Sequence, residues 1–161
     1  MPRTTDRMAG PRRLAGLLAI LVVFMVYLPG VARAGEFVVL VNAENPIDTG
    51  ESAKGQVARL FLKRASEWPS GARAFPFDRP ADSAAHTAFV RNVLDATEAR
   101  LDDWWLKLKQ ECGETPPREV GSVSFLIRAI KRKAGAFGFA RKNAVDPVPE
   151  GIKVLFEFDV P

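Results

Sequence analysis

Near the start of the chain, Phe37-Val38-Val39-Leu40-Val41 forms an unbroken apolar run rich in β-branched side chains. Successive side chains of a strand point to opposite faces, so a strand without polar alternation needs cover on both sides. That requirement points to a sheet with helices layered on it. The remaining chain supplies the helices.

After a loop over 42–50, with Asn45-Pro46 as a turn signal, Ser52 is expected to cap a helix running to about Arg64. Its apolar residues Val57, Leu60 and Phe61 recur at helical spacing and form one core-facing stripe. Trp68-Pro69-Ser70-Gly71 ends that unit. A second strand is expected over 72–78, with Phe75 and Phe77 on one face.

Asp82 or Ser83 begins a helix to Leu94, with Phe89, Val93 and Leu94 turned inward. Thr97 caps another, whose Leu101, Trp104, Trp105 and Leu108 make a heavy apolar stripe. Ser122 caps a third, through Lys133, with Phe125, Leu126, Ala129 and Ile130 expected on its inner face. Residues 135–140 (GAFGFA) read as a strand whose glycines admit a close neighbour. Ile152 to Phe158 is the last strand. Strands separated by helices in this order predict an α/β fold with a mixed, mainly parallel sheet flanked by helices.

The N-terminal 34 residues have another purpose. Arg3, Arg7, Arg12 and Arg13 precede an uncharged stretch of 15 residues, Leu14 to Leu28, and Ala32-Arg33-Ala34 offers small residues for cleavage. An apolar core that short, with those flanks, reads as a secretory signal; an uncleaved anchor is the alternative. The expected organisation is a signal peptide over 1–34 and one domain over 35–161, periplasmic or secreted. The signal carries five of the 23 Lys and Arg and one of the 19 Asp and Glu, which leaves 18 of each and no net charge. A nucleic-acid binder would keep a basic face, so that class is set aside. Cys112 is the only cysteine and His86 the only histidine, which exclude an internal disulfide and a multi-His metal site. No cofactor is expected.

Several motifs carry a resemblance. Val39-Leu40-Val41-Asn42, the Leu60-Phe61-Leu62-Lys63 run, Trp68, the 79–89 stretch RPADSAAHTAF and the 135–139 stretch GAFGF follow one another as in phosphate-specific periplasmic substrate-binding proteins. The chain resembles a shortened member of that family, with a reduced type 2 periplasmic-binding-protein fold. The resemblance implies an anion site in which Arg79 offers a planar fork while Ser83, Ala84, Ala85 and His86 open a helix whose N–H groups face the ligand. Departures weaken it. Asp82 and Ala84 replace two glycines, Ala85 replaces a threonine hydroxyl, and His86 replaces a second arginine. The family is a longer, two-lobed clamshell, and its first portion has no counterpart here, so affinity is expected to be low.

The function expected is that of an exported, non-catalytic binding or accessory module, with phosphate or another small oxyanion as ligand. The alternative is an envelope protein-interaction or sensory accessory protein without a small ligand, using Trp104 or Trp105; a dimer that rebuilds a cleft is a third reading. The carboxylate pairs Asp102-Asp103 and Asp78/Asp82 face no recognisable nucleophile or metal, and Lys131 to Lys133 read as a solvated helix end.

Overall fold

A computed structural model describes residues 36–159. The expected signal segment lies outside the described residues. Among those described, no helix is long and apolar enough to cross a membrane.

The apolar run becomes β1 (Phe37–Asn42), buried at all six positions. A short 3₁₀ turn (Glu51–Ala53) leads into α1 (Lys54–Phe61), followed by β2 (Phe75–Asp78), α2 (Ala84–Asn92), α3 (Glu98–Cys112), the two-residue β3 (Arg118–Glu119), α4 (Val123–Lys131), β4 (Ala136–Arg141) and β5 (Ile152–Phe158). The five strands form one sheet in the order β3-β2-β4-β1-β5. The expected mixed sheet flanked by helices is present, but its balance is even and not mainly parallel. β2 runs parallel to β3 and β4, whereas β1 runs antiparallel to β4 and β5. β4 and β5 are neighbours in the chain yet do not pair, because β1 lies between them.

The alternation of β1 divides the core. Phe37, Val39 and Val41 face a large cluster with Leu60, Phe61, Phe89, Trp105 and Phe139. Val38 and Leu40 face the other layer, with Leu126, Ile130, Ala136 and Ile152. Aromatic packing is dense in the first layer, where the Phe89 and Phe139 rings stack with centroids 4.0 Å apart. The end of β1 also terminates a helix: buried Asn42 donates from Nδ2 to the carbonyls of Ile130 and Lys131, at 3.0 and 3.2 Å. Both carbonyls belong to the last turn of α4, and that of Ile130 also accepts the Lys133 N–H at 3.3 Å.

Ser83, Thr97 and Ser122 cap α2, α3 and α4 as expected, each accepting a backbone N–H three residues on. Ser52 does not cap α1. It sits within the 3₁₀ turn, and Ala53 stands at the cap position without a side-chain bond. Phe125 departs from the expected inner face. It is 41% exposed, at the rim of α4, where the Arg118 guanidinium lies 5.3 Å from its ring centre.

Candidate functional site

The corner between β2 and α2 holds every residue of the expected anion site. Asp78 ends β2, four residues make the turn, and Ser83 opens α2 in extended backbone. Its Oγ accepts the His86 N–H at 3.2 Å, its own N–H goes to the Pro80 carbonyl, and its carbonyl takes the Thr87 N–H. Among the described residues, this leaves the N–H groups of Ala84 and Ala85 as the unclaimed donors of the first turn. Unclaimed donors and the positive end of the helix dipole favour an anion there.

The charged side chains are arranged differently. Arg79 is half-buried and turned across the molecule. Nη1 donates to the Val120 carbonyl at 2.8 Å and Nη2 to the Gly121 carbonyl at 3.0 Å. The guanidinium thus fastens the β2–α2 turn to the chain between β3 and α4, while buried Nε has no partner among the described residues. Burial pushes the Arg79 pKa down, and the neighbouring Asp78 charge opposes that. Asp82 is exposed, immediately before the helix start.

His86 is 5% exposed and held from both sides. Nδ1 lies 2.8 Å from Asp78 Oδ1 and Nε2 lies 3.0 Å from Glu98 Oε2. Burial disfavours the imidazolium, but hydrogen bonds and charge from Asp78 and Glu98 outweigh it and raise the pKa to about 9. At neutral pH the ring is therefore a cation donating through both nitrogens to two carboxylates. Asp78 Oδ1 also accepts the Arg79 N–H at 2.7 Å. The contact ties α2 to the end of β2 and to the first turn of α3.

A cavity of about 270 Å³ opens beside this group, with Asp78, His86, Glu98, Asp102 and Trp105 in its wall. Three carboxylates against one imidazolium give that wall a net negative charge. Neither Glu98 nor Asp78 was recognised as a partner of His86 from sequence. The available signals were weak: an acid in the first turn after a threonine cap, and an aspartate at a strand end. Trp105 is buried in the core, whereas Trp104 is half-buried, donates Nε1 to the Leu62 carbonyl, and lies under the Arg64 guanidinium. Among the described residues, no group of three or more His, Cys, Asp or Glu side chains is arranged to hold a metal ion.

No family model and no curated protein matches the chain. Solved structures do. An ABC-type phosphate transport receptor from Vibrio cholerae superposes with a TM-score of 0.55 at 16% identity, over 76% of this chain and 46% of that one. PstS from Borrelia burgdorferi gives 0.52 at 14% identity, over 76% and 47%. A Clostridium perfringens protein crystallised with bound phosphate gives 0.55 at 11% identity, over 76% and 44%. The chain thus spans less than half the length of each, and at these identities the likeness is one of fold alone, this α/β sheet and its helices matching part of each structure.

Proposed function

We propose that this chain is an exported, non-catalytic binding module that takes a small oxyanion weakly at the start of α2. The observation that carries this reading is the pair of unclaimed N–H groups on Ala84 and Ala85 at a Ser83-capped helix start. A transport receptor for phosphate and a protein holding bound phosphate are among the structures similar in fold, which supports phosphate as the ligand. Weakness follows from the surroundings. Arg79 is committed to two carbonyls, His86 is neutralised by two carboxylates, and Asp82 adds a negative charge beside the cap.

The non-catalytic reading is supported by the same geometry. Both ring nitrogens of His86 are occupied and Ser83 Oγ accepts a helix N–H, so the two form no working base and nucleophile pair. Export is supported by the charged, apolar and small-residue order of the first 34 residues.

The test is the thermal unfolding midpoint with and without millimolar phosphate or sulfate at constant ionic strength. Phosphate at about ten times its dissociation constant stabilises the native state by about 1.4 kcal/mol, a rise of a few degrees for a domain of this size. The expected result is a phosphate-specific rise that shrinks in Ala84→Pro, which removes one of the two unclaimed N–H groups at the first helical position. An equal response to all anions, or none, removes oxyanion binding from the function.

A further inference from the structure

A second cavity, on the far side of β1 from α4, is larger than the one beside His86. Its volume is about 490 Å³, and its wall includes the polar Asn45, Asp48, Ser52, Gln56 and Ser70 together with the apolar surfaces of Ile47 and two prolines, Pro46 and Pro69. That size lies within the range of small-molecule sites.

The wall is held firmly. Asn45 donates its backbone N–H to the Asn42 carbonyl at 3.0 Å, and its Oδ1 accepts the Ile47 N–H at 3.1 Å. The Lys153 ammonium donates to the carbonyls of Asn45 and Ile47, at 2.6 and 2.9 Å. Gly50 N–H reaches the Leu155 carbonyl at 2.7 Å. The loop is therefore tied to β5 by three hydrogen bonds.

Against that satisfied backbone, one group stands out. Asn45 is 1% exposed, and its amide Nδ2 has no hydrogen-bond partner among the described residues. A buried donor left unpaired calls for an acceptor. Asp48 offers the opposite character, a carboxylate that takes donors only, while Ser52, Gln56 and Ser70 can do either. Among the described residues, no Lys, Arg or His belongs to the wall, so an anion finds no countercharge from them there. A cation would meet a single carboxylate, that of Asp48. Hydroxyl groups serve a mixed wall best, since each both donates and accepts, and the Pro and Ile surfaces suit the C–H faces of a sugar ring.

We propose that this cavity is a binding site for an uncharged, hydroxyl-rich small molecule of the sugar or polyol class, separate from the corner at α2. It does not depend on the oxyanion reading, and the two can fail independently.

The test is a backbone and side-chain amide NMR titration of the protein with D-glucose, D-galactose and myo-inositol, with sodium phosphate and methylammonium chloride as charged comparators. The expected result is a saturable perturbation by at least one of the three polyols. It is centred on the Asn45 side-chain amide and on Ile47, Ser52, Gln56 and Ser70, with the Ala84 and Ala85 amides unmoved. Asn45 itself supports the loop, so the variant is Asp48→Ala with Gln56→Ala, both away from those backbone ties. It should keep its unfolding midpoint and bind the polyol about tenfold more weakly or worse. The proposal is overturned if no polyol saturates, if the double variant binds equally well, or if these signals saturate only with phosphate or methylammonium.

Discussion

His86 joins three elements through two carboxylates, and its protonation should be visible in the stability of the whole domain. Its folded pKa of about 9 lies above the ordinary 6.5, so the native state binds a proton that the unfolded chain releases. The stabilisation is complete below about pH 6.5 and is lost as pH rises through about 9, with an upper size of about 3 kcal/mol. His86 is the only histidine, which removes the usual competing titration from that window. Urea unfolding should therefore give a lower stability at pH 9.5 than at pH 6. His86→Gln should be less stable at pH 6 by about 1–3 kcal/mol and show a much flatter profile; an unchanged slope in that variant would assign the pH dependence elsewhere. The site was legible only in part. A capped helix after a strand, with Arg79 and His86 flanking it, could be read from local spacing. The destinations of those side chains could not. Glu98 stands on another helix and the Val120 and Gly121 carbonyls lie 41 and 42 residues beyond Arg79, so only the packed sheet brings them together.

Gly135 and Gly138 were both expected to admit a close neighbour, but what approaches them differs, and so should the cost of filling the space. A Cβ on Gly135 would lie 1.9 Å from the Arg73 carbonyl oxygen, part of the backbone leading into β2. The carbonyl of Gly135 also accepts from Trp68 Nε1 at 2.9 Å and from the Phe75 N–H at 3.1 Å, so the strand cannot retreat without breaking buried bonds. A Cβ on Gly138 would meet chiefly the Leu126 Cδ1 atom, at 2.6 Å, the end of a side chain that can change rotamer. Gly135→Ala should cost about 4 kcal/mol or more and Gly138→Ala about 1–3 kcal/mol, measured by chemical denaturation. A reversed ranking would show that the backbone near Arg73 yields more easily than the core around Leu126. Elements were legible where one local signal dominates: the unbroken run of β1, the Ser and Thr caps, the aromatic β5. They were not where long-range pairing decides. β3 is two residues long and exists because Phe77 and Asp78 offer it an edge, and β1 enters between β4 and β5 from far away in the chain. Ser52 was misread because the Gly50 region begins with a 3₁₀ turn, which moves the helix start past the serine.

At the scale of the molecule, the alternation along β1 has a thermodynamic consequence. The two core layers are separated by the sheet, yet both rest on consecutive residues of one interior strand, Val39 on one face and Leu40 on the other. Neither layer can lose its packing without releasing the strand that supports the other, so the described domain should unfold in one cooperative step. The tryptophans allow a strict test, since Trp68, Trp104 and Trp105 all belong to the layer of Val39. Leu40→Ala removes buried side-chain volume from the opposite layer, at a cost of about 2–5 kcal/mol. If the layers are coupled, tryptophan fluorescence must report a midpoint lowered as far as that from far-ultraviolet circular dichroism, although no tryptophan lies in the damaged layer. If they are independent, fluorescence will hold near its original midpoint while the dichroism curve divides into two transitions.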